Sequence, residues 1–237
     1  MLELDAITMR FGGLTALHAM SLSVAEGETL GLVGPNGAGK TTLFNVISGV
    51  YAPSGGTIRF GGQDVGALPQ WKRARVGIGR TFQIPQPMRE LTVRENLRVA
   101  QRFGAGKEDP AALDEILDLL GLAHKQHADA ATSLALTEQK ALEVGKALAV
   151  RPRLLMLDEV LGGLEMATKR TFARTLETVR ARFGLTMVII EHDIETIKAL
   201  CPRVVVLNFG QLIADGTPEA VFNDPQVIRS YTGDTPA

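Results

Sequence analysis

Gly34-Pro35-Asn36-Gly37-Ala38-Gly39-Lys40-Thr41-Thr42 fits the phosphate-binding pattern G-x-x-x-x-G-K-[ST] at every fixed position. The apolar run Thr29 to Val33 before it reads as a buried strand, and Leu43 to Ser48 after it continues as a helix. The glycines therefore fall on a strand-to-helix turn. Gly34, Gly37 and Gly39 permit positive φ and close backbone approach, so the N–H groups of the stretch can wrap a polyphosphate at the positive end of a helix dipole. Lys40 then neutralises β/γ-phosphate charge, and the Thr41 hydroxyl suits Mg²⁺. Pro35, Asn36, Ala38 and Thr42 complete the expected cradle.

Downstream, Leu154-Leu155-Met156-Leu157 is an apolar strand that ends in Asp158-Glu159, at the strand edge where open α/β sheets bind ligands. Two charges there cost energy unless they are used. Asp158 suits Mg²⁺ held through its water shell. Glu159, directed the other way by strand alternation, suits orientation and deprotonation of an attacking water. A second apolar strand, Met187 to Ile190, leads into Glu191-His192-Asp193. His192 then either bonds the γ-phosphate and the nucleophilic water or serves as a polar helix cap beside Asp193. Gln83 follows the run Gly77 to Phe82 and precedes Ile84-Pro85-Gln86-Pro87, whose prolines favour extended backbone; its amide suits contact with Mg²⁺ and water.

The chain has 237 residues, with 25 basic and 26 acidic side chains and a formal net charge of −1, so nothing suggests nucleic acid as a bulk partner. The single cysteine, Cys201, excludes an internal disulfide, fits a reducing compartment and reads as a small buried hydrophobe. Met1 to Arg10 mixes Leu with Glu, Asp and Arg, so no leader is expected. No run approaches the roughly 18 apolar residues of a membrane span. The protein is expected to be soluble, with membrane association only through partners. Strand-like runs at Leu2 to Thr8, Ser21 to Val24, Thr29 to Val33 and Thr57 to Phe60 make the first third β-rich. From about Thr92, an expected N-cap, the pattern is helical: Val93 to Gln101, Ala111 to Leu120 across a loop Gly104 to Pro110, and Thr137 to Ala149 with one buried stripe. Arg153 to Leu157, the helical stretch Glu165 to Arg182, and Met187 to Ile190 form a βαβ crossover.

Taken together, these residues resemble the ATP-binding subunits of ABC transporters across nearly the whole chain. Gly34 to Thr41 matches the Walker A motif, Gln83 the Q-loop glutamine, Leu154 to Asp158 the Walker B strand, Glu159 its catalytic glutamate and His192 the switch histidine. Phe11 lies where the family places the aromatic that stacks on adenine; a core residue at a strand end is the alternative. Phe11 to Leu14, Gly77 to Pro85 and Asn223-Asp224-Pro225 look most like the ATPases of branched-chain amino-acid importers, with urea and amide relatives similar. The resemblance implies an α/β P-loop NTPase core, a parallel sheet with an antiparallel β subdomain, plus a helical subdomain. Residues 1–237 would form one domain, 1–83 and 151–237 as nucleotide-binding core and 84–150 as helical subdomain. It further implies ATP and Mg²⁺ as cofactors, with the metal held by Thr41, Gln83 and, through water, Asp158. The implied partners are transmembrane permease subunits, a second ABC ATPase subunit and, indirectly, a solute-binding protein, at the cytoplasmic face of the inner membrane. A regulatory nucleotide-binding module with little turnover, or a soluble non-transport ABC ATPase, stands as the alternative.

One motif departs from that pattern. The family signature near L-S-G-G-Q falls at Leu134-Ala135-Leu136-Thr137-Glu138. Ala135 has no hydroxyl for a γ-phosphate, Leu136 places a side chain where glycine permits close approach, and Glu138 is expected to bring negative charge near the partner's ATP. The helix from Thr137 still offers N–H groups at its start. Val160 and Glu165 are milder departures in the segment after Walker B.

Overall fold

The computed structural model describes residues 1–232; positions 233–237 of the expected single domain lie outside the described residues. In chain order the first elements are β1 (Leu2–Phe11), β2 (Leu14–Val24), β3 (Thr29–Val33), α1 (Lys40–Ser48), β4 (Gly55–Phe60), β5 (Gln63–Asp64), α2 (Gln70–Arg75) and β6 (Ile78–Arg80). Then come α3 (Val93–Ala100), α4 (Pro110–Leu119), α5 (Leu136–Ala149), β7 (Leu154–Asp158), α6 (Met166–Phe183) and β8 (Thr186–Ile190). The chain closes with α7 (Ile194–Leu200), β9 (Arg203–Asn208), β10 (Gln211–Gly216), α8 (Pro218–Phe222) and α9 (Pro225–Thr232). Two compact units result: Met1–Gln70 with the chain from Val188 onward, and Trp71–Met187.

In the first unit, β1 and β2 pair antiparallel from Phe11↔Leu14 to Leu2↔Val24, and β4 and β5 extend them into a sheet of order β2-β1-β4-β5. Leu2 and Leu4 face inward while Glu3 and Asp5 face water, the period-two pattern of a half-buried strand. The pairing slips on both sides of Ile7, where Ala6 (φ 49) and Ala19 (φ 46) take left-handed backbone. Such bulges break the alternation, which is why the sequence pattern foretold only the last part of β2. β3 is buried at all five residues. It pairs parallel with β9, Val33 opposite Val206, and has β8 as its other neighbour. Gly31 of β3 lets α7 approach: a Cβ there would stand 3.2 Å from Ile197 and 3.3 Å from Cys201. Burial pushes the Cys201 thiol up to about 12, so it packs and does not react at neutral pH. Arg203 ties three elements together, bonding Asp215 (2.6 and 2.7 Å), Glu28 (3.0 Å) and the Ser23 carbonyl (3.0 Å).

In the second unit, β6 pairs parallel with β7, Ile78 opposite Leu154 and Arg80 opposite Met156. Thr92 caps α3 in a reciprocal box: Glu95 N–H donates to Thr92 Oγ1 (3.2 Å) and Thr92 N–H donates to Glu95 Oε2 (2.8 Å). The open loop expected from Gly104 is shorter than its composition implied, because α3 continues as a π-helical turn over Gln101–Ala105. Gln101 closes what remains, its amide donating to Asp109 O (3.2 Å) and accepting from Asp109 N–H (2.7 Å). Gly104 is there for space, since a Cβ would land on the Val150 side chain. Gly104→Ala should therefore lower the unfolding free energy by about 1 to 3 kcal/mol, measured by denaturant titration. Adding Val150→Ala should recover part of that loss.

Candidate functional site

The phosphate loop lies wholly in the first unit. Gly34 follows β3 with φ +146, and a Cβ there would land on the Leu207 carbonyl of β9. The strand pairing that builds the sheet thus also demands this glycine. Gly39 (φ +105) is the N-cap of α1, with no side-chain cap; a Cβ on it would stand 2.9 Å from Ala16 O. Gly37 (φ +79) has open space at its Cβ. The loop is closed by Ala38 N–H to Pro35 O (3.2 Å) and Gly210 N–H to Ala38 O (2.9 Å). Lys40 is only 7% exposed, and its ammonium donates to Gly34 O (2.6 Å) and Pro35 O (3.0 Å). Thr41 is exposed in the first turn of α1, beside the partly buried Thr42. Tyr231 of α9 makes a hydrogen bond with the Gly34 backbone; burial nevertheless pushes its phenol pKa up. Nothing in the sequence pattern singled it out.

Phe11 is 41% exposed and meets Tyr51 edge-on, with ring centroids 5.2 Å apart at 78°. It is not the core residue at a strand end that was the alternative expectation. His192 is exposed two residues after the end of β8, beyond the buried Glu191. Asp193, not His192, occupies the N-cap of α7, and it accepts the Thr196 hydroxyl at 2.5 Å.

The second unit gathers the other expected residues. Gln83 Nε2 donates to Glu159 Oε2 at 2.6 Å, and Arg80 Nη2 donates to Asp158 Oδ2 at 3.0 Å. Thr81 Oγ1 accepts from Asp158 N–H (3.0 Å), while Thr81 N–H donates to Met156 O (2.9 Å). The ends of β6 and β7 are thus joined by side chains as well as by the sheet. Asp158 is 2% exposed. The alternation argument for Glu159 is corrected here: β7 ends at Asp158, and Glu159 has φ +50, left-handed backbone that is uncommon outside glycine. Its direction comes from that kink. The Glu159 carbonyl accepts from Lys140 Nζ (3.0 Å) and from Gly162 N–H (3.1 Å). Lys140 and Arg80 were missed in the sequence, where each is one basic residue among many.

The segment after Gln83 is held at both ends of the Gln86 backbone. Its N–H donates to Glu143 Oε1 (2.8 Å) and its carbonyl accepts from Lys146 Nζ (2.7 Å), both side chains belonging to α5. Asn96 does the same for Met88. Ile84 stays 72% exposed. The backbone that Pro85 and Pro87 were expected to extend is therefore also held by this clamp.

The altered signature begins α5, one residue before the expected Thr137. Ala135 is its N-cap and has no acceptor side chain, but Glu138 supplies the reciprocal half of a capping box, accepting from Ala135 N–H at 2.8 Å. The same carboxylate accepts from Lys125 Nζ at 2.7 Å and lies 3.6 Å from His124 Nε2. Burial raises its pKa, yet Lys125 and the Ala135 N–H outweigh burial and hold it below the usual carboxylate value. The negative charge expected to face outward is neutralised within the unit. Leu136 is 45% exposed at the helix start.

Comparisons with known proteins agree with these features. The family model described as ABC transporter matches residues 17–162, and that described as branched-chain amino acid ATP-binding cassette transporter matches 211–237. The chain is 38% identical, over 98% of both chains, to the high-affinity branched-chain amino acid transport ATP-binding protein BraF of Pseudomonas aeruginosa. It is 38% identical to LivG of Salmonella typhimurium, over 99% of this chain and 98% of that one. Among solved structures, a nucleotide-free ATP-binding cassette from an ABC transporter superposes with a TM-score of 0.89 at 30% identity, covering 98% of this chain and 99% of that one. An ADP-bound cassette gives a TM-score of 0.88 at 30% identity over 98% of each chain.

Because Glu138 has a depressed pKa in the folded protein, its charge stabilises the fold above the unfolded carboxylate value of about 4.3 and loses that effect as pH falls through the folded value. The stability difference between the wild type and Glu138→Gln should be flat above about pH 5 and shrink below about pH 4, read by thermal unfolding. With an intact phosphate loop, a Walker B strand and relatives matched from end to end, the chain belongs to the ATP-binding subunits of ABC transporters, a family of ATPases.

Proposed function

We propose that this chain is the ATP-hydrolysing subunit of an importer of branched-chain amino acids or related amino acids and amides. The observation that carries the choice of solute is the match of residues 211–237 to the branched-chain cassette family, beyond the general ABC match at 17–162. On this reading residues 1–237 act as one ATP-binding domain, with 84–150 as its helical subdomain. Among the described residues no helix is long and apolar enough to cross a membrane. Transmembrane permease subunits, a second ATPase subunit and a solute-binding protein are then separate chains, with this one at the cytoplasmic face.

In this reading the loop Gly34 to Thr42 and the start of α1 bind the phosphates, and Phe11 stacks on adenine. The oxygen donors fit a hard cation: the Thr41 hydroxyl, the buried carboxylate of Asp158, and the Gln83 amide, whose nitrogen is already committed to Glu159. Magnesium bound there supplies charge neutralisation at the β- and γ-phosphates. Lys40 exchanges its bonds to Gly34 O and Pro35 O for phosphate oxygens. Glu159 takes the proton of the attacking water, Gln83 orients that carboxylate, and His192 bonds the γ-phosphate. The exposed Ile84 and its clamped neighbours form a stiff surface suited to a permease segment.

Glu159→Gln should keep ATP affinity and lower hydrolysis by roughly 10²- to 10⁴-fold, with the ATP-bound dimer accumulating on size exclusion. Wild-type turnover in that variant, or co-purification with soluble proteins in place of membrane subunits, would sink the assignment.

The second reading, a regulatory subunit with little turnover, is favoured by the side chain of Leu136 standing exposed at the start of α5. If the altered signature limits turnover across a dimer, Ala135→Ser with Leu136→Gly should raise the ATPase rate of the isolated protein by about tenfold, the equivalent of roughly 1.4 kcal/mol. No gain from that double change, together with strong basal hydrolysis, would show that Thr137 and the helix start already serve a partner's nucleotide.

A further inference from the structure

The ion pair of Arg80 with Asp158 is more than the hydrolytic reading requires. It spans 3.0 Å, with the two side chains 6% and 3% exposed. The parallel register sets Arg80 opposite Met156, two residues before Asp158, so the guanidinium reaches forward along the sheet to the strand end. Its carbon lies 5.1 Å from the centroid of the Phe82 ring. Arginine does not lose its charge at any relevant pH, and a carboxylate this buried needs a cation in the absence of a metal.

We propose that Arg80 is a tethered cation that shares Asp158 with the divalent metal, a positioning residue that sets how strongly ATP binding depends on that metal. The inference rests on the reading of Asp158 as a metal ligand. In nucleotide-free protein Arg80 aims the carboxylate and compensates its charge. Once a divalent cation arrives, two positive groups meet at one carboxylate, and their repulsion offsets part of the metal's gain. Phe82 gives the guanidinium an aromatic face on which to remain as it yields Asp158. Arg80, Phe82 and Gln83 are consecutive or nearly so, which puts the metal ligand and the base under one short segment.

The test compares ATP affinity of the full chain in excess magnesium with that in excess EDTA, by isothermal titration; the ratio is the metal's gain. Arg80→Met should raise this ratio by roughly tenfold, the order set by removing a like charge a few ångströms from a bound cation. Arg80→Lys, which keeps a charge but not the planar fork, should raise it less, by about two- to threefold, and decides the matter if Arg80→Met does not fold. An unchanged or smaller ratio in the folded variant overturns the proposal. Asp158→Asn separates the two readings: a ratio left at the wild-type value refutes Asp158 as a metal ligand, whereas a lowered ratio alongside unresponsive Arg80 variants refutes only the sharing.

Discussion

Two adjacent carboxylates at the end of an apolar strand are the constraint around which the second unit is arranged. Neither Asp158 nor Glu159 can be left to itself near a low-dielectric strand end, and each has been given a different partner from the same segment: Arg80 for the first, Gln83 for the second. The partners differ in kind. A full positive charge compensates the buried Asp158, while a neutral amide holds Glu159 without removing its capacity to accept a proton. The kink at Glu159 separates the two groups, and Lys140 and Gly162 hold its carbonyl in place. Left-handed backbone at a non-glycine residue is strained, and it persists where its surroundings over-determine it.

Lys140 also joins the carboxylate pair to α5, the helix that opens with the altered signature. Further along the same helix, Glu143 and Lys146 hold the Gln86 backbone from both sides. One helix therefore touches the segment suited to a permease, the carbonyl of the expected base, and the surface expected to meet a partner's nucleotide. Glu138 fits this picture as structure, not as a ligand: it caps the helix that lacks a capping side chain at Ala135 and is neutralised by Lys125.

The loop, the Walker B strand and most helix starts were legible because each depends on local chemistry. An apolar run ending in acids and Thr92 before a helix carry their cause within a few residues, and the loop is recognised by the spacing of its glycines. What escaped was non-local. Arg80 and Lys140 acquire meaning only from partners 78 and 19 positions away in the chain. The full length of β2 was hidden by bulges that break its period, and the π-helical turn at Gln101–Ala105 by a glycine that reads as a loop but is required for packing on Val150. The direction of Glu159 was misjudged because alternation was carried one residue past the end of the strand.

The phosphate loop illustrates the same distinction on the other side of the chemistry. Its glycines look like a ligand-binding signature, yet Gly34 and Gly39 are dictated by the fold itself, one by the Leu207 carbonyl and one by Ala16. Gly37 has open space at its Cβ, and its φ of +79 is what calls for glycine there. The buried ammonium of Lys40 is satisfied by the loop's own carbonyls, which lets a cation remain in place before any phosphate arrives. On the proposed reading, a bound phosphate replaces these ammonium–carbonyl bonds with ammonium–phosphate bonds in which both partners are charged.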